Sequence, residues 1–121
     1  MAPFARYIPV RRRRALQLSA FFLTLLAIGS NASAFTFTTL DVPGATSTEA
    51  FGINRHGQIV GFYADSSGVG HGFLLDPAGT FTTLDVPGAT FTVAIGINGH
   101  GRIVGYYIDA NSISHGFLAR P

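Results

Sequence analysis

The residues of this sequence with the greatest potential for chemistry are histidine and aspartate, which recur at a fixed spacing. His71 and His115 lie 44 residues apart, and Asp65 and Asp109 each precede one of them by six positions. Imidazole and carboxylate groups together suit metal or ligand binding. A metal site needs three or four convergent ligands, however, and each copy of the pattern offers two. We therefore predict structural hydrogen-bonded pairs that hold a loop, with no metal ion and no cofactor.

Four further side chains are candidates for ligand binding. His56 and His100 lie in predicted turns, and loops commonly display contacts to a ligand. Tyr63 and Tyr107 lie near Asp and Asn residues, and an aromatic face beside such groups suits a sugar ring. We predict these four as the contacts to a glycan or another surface ligand. The competing explanations are an exposed turn position for the histidines and packing between β-units for the tyrosines.

Catalysis is not predicted for this chain. Asp41 and Asp85 could form the carboxylate pair of a glycosidase, but both precede Val-Pro-Gly in matching surroundings. Acid–base chemistry needs two carboxyl groups with different pKa values, which matching surroundings do not provide. The sequence contains no cysteine, which excludes thiolate chemistry, and no lysine, which excludes Schiff bases. We expect a protein that is not an enzyme.

Residues 1–34 have the three parts of an export signal. A basic segment ends in four arginines, 11–14, and an apolar run follows over residues 15–28. Ala32 and Ala34 then form the small-residue cleavage pattern that signal peptidase accepts. We predict a signal peptide over 1–34, cleavage after Ala34 and secretion to the extracellular space or periplasm. The sequence leaves the general and the twin-arginine export routes open.

The basic character of the whole chain comes from this segment. Five of the eight arginines precede residue 35, whereas all six acidic residues follow it, so that residues 35–121 carry a net charge of −3. This charge argues against nucleic acid as a partner. The apolar run of about 14 residues is shorter than the roughly 20 residues that span a bilayer. We expect no membrane span after cleavage.

The rest of the chain is an internal repeat. Residues 36–77 and 80–121 are identical at 28 of 42 positions without insertion or deletion. The shared segments are TFTTLDVPGAT at 36–46 and 80–90, GIN-x-HG-x-IVG-x-Y at 52–63 and 96–107, and HGFL at 71–74 and 115–118. So close a match indicates duplication of one structural unit. We predict two β-repeats, over residues 35–79 and 80–121.

Each repeat has the pattern of four short antiparallel strands. Runs rich in Phe, Thr, Ile, Val and Tyr alternate with turn sequences such as Asn54–Gly57, Asn98–Gly101 and Asp76–Gly79. Four strands in 44 residues are typical of one β-propeller blade, so the predicted fold is all-β and propeller-blade-like after a signal helix. The first predicted strand, Phe35–Leu40, corresponds to the fourth strand of a blade.

Two blades cannot close a ring, since propellers have about 4–8 blades. Three arrangements remain open: a homo-oligomer, further repeats in a longer propeller that is or is not an enzyme when complete, or two repeats folded on each other as a sandwich or open barrel. We predict a secreted non-enzymatic protein that acts by binding or assembly. The alternatives are the fragment of a longer protein and a purely structural envelope protein.

The hairpin motif Gly-Ile-Asn-x-x-Gly-x-Ile-Val-Gly-x-Tyr followed by His-Gly-Phe-Leu resembles the HAF repeats of extracellular bacterial proteins. The resemblance covers essentially all of residues 36–121, although Gly72 and Gly116 replace the alanine that names the family motif. The resemblance implies export and a repeat-built β fold. It implies no settled activity and therefore assigns no catalytic residues.

Overall fold

The computed structural model describes residues 34–121, and every regular element in this range is a β-strand. The strands are β1 (Ser47–Ile53), β2 (Ile59–Ala64), β3 (Gly70–Leu75), β4 (Phe81–Leu84), β5 (Phe91–Ile97), β6 (Ile103–Ile108) and β7 (Ser114–Ala119). The predicted all-β fold class is confirmed. The predicted signal helix and Ala32 lie outside the described residues. Within the described range, no helix could cross a membrane.

The seven strands form one sheet that contains two antiparallel blades. Strands β1 to β4 pair consecutively and form what we call the first blade, whereas β5 to β7 form the second blade. Each register in the second blade repeats that of the first blade 44 positions later: Gly52 opposes Val60, and Gly96 opposes Val104. Residues that differ by 44 in number are therefore structurally equivalent, and are called counterparts below.

The turns follow from their sequences. In the β1–β2 turn, the backbone N–H of Gly57 donates to the carbonyl of Asn54 at 3.1 Å, and Gly57 has a φ of 76°. A positive φ costs glycine little because it lacks a Cβ atom. The Asn54 side-chain oxygen also accepts the backbone N–H groups of His56 and Gln58, which fixes the turn. Equivalent backbone bonds close the predicted turns Asn98–Gly101 and Asp76–Gly79.

The core lies where the two blades meet. Val60 of the first blade is fully buried with Ala94 and Ile103 of the second. Partly buried apolar side chains surround them: Leu74, Leu84, Ile97, Phe117 and Ala119. A single parallel bridge, between Gly70 and Phe91, joins β3 to β5. The removal of this apolar surface from water is the force that holds the blades together.

Residues 35–40 form no strand, so the prediction of a strand at Phe35–Leu40 is wrong. The first sequence repeat thus contributes three strands instead of four. The sequence at 81–84 is the same as that at 37–40, and it forms β4 because β3 offers an edge for pairing. Strand formation here depends on a neighbouring edge more than on the local sequence.

Candidate functional site

The turn between β2 and β3 positions the first Asp–His pair. The backbone N–H of Gly68 donates to the carbonyl of Asp65 at 3.0 Å. One carboxylate oxygen of Asp65 accepts the backbone N–H groups of Ser67 at 2.8 Å and Val69 at 3.0 Å. The other oxygen remains available for a side chain. The segment predicted as a loop is thus a tight turn, for which Asp in the first position and Gly in the fourth are typical.

His71 bridges two carboxylates. Its Nε2 lies 3.0 Å from Asp65 Oδ2, and its Nδ1 lies 2.9 Å from Asp85 Oδ2. The imidazole also stacks on the ring of Tyr63, with centroids 5.0 Å apart, and the Tyr63 hydroxyl shares a hydrogen bond of 2.9 Å with Thr83 Oγ1. We call these five residues the His71 cluster. It ties the β2–β3 turn to β3 and to the chain that follows β4.

The electrostatics of the His71 cluster favour the ion pair. The hydrogen bond to Asp65 raises the pKa of His71 above its ordinary value; partial burial opposes this, and Asp85 adds to it. The same bond to His71, with the backbone N–H of Val69, lowers the pKa of Asp65. Both ring nitrogens of a protonated histidine are donors, so the two carboxylates together suit the imidazolium form.

The second blade carries an incomplete version of this cluster. His115 Nε2 lies 2.9 Å from Asp109 Oδ2, and the ring stacks on Tyr107 at 5.1 Å. The hydrogen bond from His115, with the backbone N–H of Ile113, lowers the pKa of Asp109. In residues 34–121 nothing takes the places that Thr83 and Asp85 hold in the first blade. The His115 side chain is accordingly 42% exposed, compared with 20% for its counterpart.

The turn histidines lie apart from these clusters. His56 and His100 are both exposed, and His56 Nε2 accepts a hydrogen bond from Arg55 Nε at 3.2 Å. The β1–β2 turn precedes β2 at Ile59, whereas Tyr63 lies near the other end of that strand. The structure therefore does not bring His56 and Tyr63 into one site. The four predicted ligand contacts fall into separate places, and their role in binding stays a prediction.

Two members of the His71 cluster are not predicted from the sequence. Asp85 and Thr83 each lie 14 or more residues from their partners in the chain, His71 and Tyr63. The repeated segment TFTTLDVPGAT, which contains both, was the available signal. Across the part of the chain that the structure describes, no group of three or more His, Cys, Asp or Glu residues has the arrangement of a metal site.

Comparisons with protein-family models, with curated proteins and with solved structures find no match to this chain.

Proposed function

We propose that this chain is an exported, non-enzymatic β-repeat module of the HAF type, which acts by binding or assembly. The observation that carries the proposal is an uncovered apolar face on the second blade. Val104 and Leu118 are each 49% exposed there, whereas Val60, the counterpart of Val104, is fully buried between the blades. Exposed apolar side chains at positions that are otherwise packed against a blade indicate an interaction surface.

The geometry of the His71 cluster supports a structural role over a catalytic one. A general base needs a ring nitrogen directed at the substrate. Both ring nitrogens of His71 are bonded to carboxylates, and the ring lies against Tyr63. These bonds connect a turn, a strand and the segment after β4. The cluster is thus suited to stabilise a blade.

Export is supported by the basic, apolar and small-residue segments of residues 1–34. The test is to express the full-length chain in a bacterium, separate the cell fractions and sequence the N-terminus of the exported product. We expect a product that begins at Phe35. A chain retained in the cytoplasm with its N-terminus intact would contradict the export part of the proposal.

Binding and assembly are tested on the exported chain by light scattering over a range of concentrations and by a glycan array. The oligomer of the double variant Val104→Ser/Leu118→Ser should dissociate at a protein concentration at least about 10-fold higher than that at which the parent oligomer dissociates. Ile113→Ser is the matched control, since Ile113 is 53% exposed but lies in a turn. A chain that stays monomeric at every concentration and binds no glycan would refute the proposal. Loss of any array signal in Tyr107→Ala would assign the ligand to Tyr107.

A further inference from the structure

We propose that residues 36–41 of a second copy of this chain add to the outer edge of β7 as the missing fourth strand of the second blade. Chains would then join head to tail. This inference rests on the proposed function, since it assumes that the chain acts by assembly. It goes further by naming the segment and the edge that join.

The second blade needs such a strand. In the described part of the chain, β7 pairs with β6 alone and lies at the end of the sheet. Its counterpart β3 pairs on that edge with β4, with Gly72 opposite Leu84 and Leu75 opposite Phe81. The free backbone groups of an edge strand are a template for pairing with another chain.

Residues 36–41 have the sequence of the strand that is missing. Their sequence, TFTTLD, is identical to that of residues 80–85, of which 81–84 form β4. Residues 36–40 form no strand themselves, and the side chain of Phe37 is 90% exposed. Residues 34–121 thus contain an unpaired segment with the sequence of a fourth strand and a second blade that has no such strand of its own.

An apolar groove next to β7 matches the aromatic side chain of this segment. In the first blade, Phe81 of β4 packs edge-on against Phe73 at 5.4 Å between centroids. Phe117 is the counterpart of Phe73, and it lines a mostly apolar groove of about 300 Å³ with Leu118, Ala119, Leu84, Val86 and Pro87. Phe37 of the second copy would pack against Phe117 in this groove, as Phe81 packs against Phe73.

Within residues 34–121, Tyr107 and His115 have no counterparts of the partners that Tyr63 and His71 bind through Thr83 and Asp85. Tyr63 bonds to Thr83, and the matching bond of Tyr107 would be to Thr39 of the second copy. His71 bonds through Nδ1 to Asp85, and the matching bond of His115 would be to Asp41 of the second copy. The added strand would therefore give Tyr107 and His115 the same set of partners that Tyr63 and His71 have in the His71 cluster.

The contact between the two blades of one chain provides the template for the contact between chains. Within the chain, Val60 packs against Ala94 and Ile103. The counterparts of these three residues are Val104 on the second blade and Ala50 and Ile59 on the first blade. Val104 and Ala50 are exposed, so the first blade of the second copy can repeat the contact on the second blade of the first copy.

A hydrogen bond between the blades fits the same template. Asn54 Nδ2 donates to the backbone carbonyl of Asn98 at 3.0 Å. In the assembly, Asn98 of the first copy would donate in the same way to the carbonyl of Asn54 of the second copy. One second copy can supply both the added strand and the packed blade, because the segment that connects these two parts is held by the same hydrogen bond in both repeats. The backbone N–H of Val42 donates to Thr48 Oγ1 at 3.1 Å, as that of Val86 donates to Thr92 Oγ1 at 3.3 Å.

The geometry favours a second copy over pairing within one chain. Val42 is held by Thr48, which lies on the same face of the first blade as Ala50, because alternate residues of a strand share a face. The second blade packs on the opposite face, which carries Val60. The chain thus enters the first blade on the side away from β7. A head-to-tail contact of this kind closes into a ring when the rotation per copy allows it.

The test uses engineered disulfides in a chain that contains no cysteine. The β3–β4 register places Leu74 opposite Thr82, so the proposed contact places Leu118 opposite Thr38 of the second copy. Opposed Cα atoms of antiparallel strands are about 4.5–5.5 Å apart, which a disulfide can span. Thr38→Cys and Leu118→Cys are made as separate full-length variants, mixed, oxidised and run on a non-reducing gel. We expect a covalent dimer in the mixture, in excess over either variant alone.

The intrachain pair Leu74→Cys/Thr82→Cys is the positive control, because it occupies the equivalent positions of the first blade. If this control forms its disulfide and the mixture gives no dimer beyond the single variants, the inference is overturned. A second measurement uses Phe37→Ala. This variant should raise the protein concentration at which the oligomer dissociates at least about 10-fold, without changing the circular dichroism spectrum. An assembly that neither cross-links nor responds to Phe37→Ala would overturn the inference and leave the proposed function standing. A monomer at every concentration would overturn the inference, and it would overturn the proposed function as well if that monomer bound no glycan.

Discussion

His71 Nδ1 lies 2.9 Å from the carboxylate of Asp85, a residue 14 positions further along the chain. This bond links the start of β3 to the segment that leaves β4 for the second blade. Asp65 lies 3.0 Å from the opposite ring nitrogen, so the imidazole connects the β2–β3 turn to the segment between β4 and β5. We call these two bonds of His71 the brace. The brace depends on charge, and its contribution to stability therefore depends on pH.

The first prediction concerns that pH dependence. The pKa of His71 is raised in the folded state. The contribution of His71 to stability is therefore full below the unfolded pKa of about 6.5 and is lost as the pH rises through the folded pKa. The pKa of Asp65 is lowered, so its contribution is present above about 3.9 and is lost as the pH falls through the folded value. The brace should stabilise most between about pH 4 and 6.5.

Urea unfolding of the parent chain and of His71→Gln at pH 5.5 and 8.5 measures this effect. The difference in unfolding free energy between the two proteins should be larger at pH 5.5. Asp85→Asn is the control variant, because it keeps the bond between His71 and Asp65. NMR titration of this variant should show a pKa for His71 that is lower than in the parent chain. A difference between parent and His71→Gln that is the same at both pH values would contradict the prediction.

The second prediction concerns the turn between β6 and β7. Ser112 has a φ of 63°, whereas its counterpart Gly68 has a φ of 80°. A left-handed conformation costs a residue with a Cβ atom about 1–2 kcal/mol, and glycine loses about 0.5–1 kcal/mol more backbone entropy on folding. Ser112→Gly should therefore increase the free energy of unfolding by about 0.5–1 kcal/mol. Gly68→Ser should decrease it by a similar amount, and equal stability of all three proteins would show that this turn is unstrained.

The third prediction concerns a close approach in the first blade. A Cβ atom at Gly61 would overlap the carbonyl oxygen of Glu49 and lie 2.7 Å from a ring carbon of Phe73, which is fully buried. Gly61→Ala should lower the free energy of unfolding by at least about 1–3 kcal/mol, as overpacked cores do. Gly116→Ala is the control, since the nearest atom to its Cβ would be the Gly105 oxygen at 3.9 Å. Unfolding in urea is measured at a concentration below assembly, and similar midpoints for both variants would contradict the structure.

The fourth prediction compares the two tyrosine–histidine stacks. Tyr63→Phe removes the hydrogen bond of 2.9 Å to Thr83 and should lower the free energy of unfolding by about 0.5–1.5 kcal/mol. Tyr107→Phe should leave the stability of the monomeric chain unchanged, because no residue of 34–121 takes the place of Thr83 there. Unfolding is followed by circular dichroism at a concentration below assembly. Equal losses in the two variants would contradict the assigned bond.

Much of the fold was predictable because its signals are local. Asn54 in the first position and Gly57 in the fourth position predicted a turn whose hydrogen bonds involve only neighbouring residues. The Asp65–His71 pair, six residues apart, was predictable for the same reason. The bonds of Asp85 and Thr83 were not, because they depend on which strand lies beside which. A repeated sequence does not determine which copy of a segment pairs with the edge of which strand.

The sequence by itself determined the strand-forming segments, the turns and the offset of 44 residues that makes the two blades equivalent. These follow from side-chain preference and turn chemistry, which act over a few residues. Only the tertiary structure decided that residues 81–84 form a strand while the identical residues 37–40 do not. A strand is stabilised by hydrogen bonds to a neighbour, and β3 supplies that neighbour to one copy of the segment. Within residues 34–121, β7 pairs with β6 alone, and this open edge is where we propose that the second blade binds a strand.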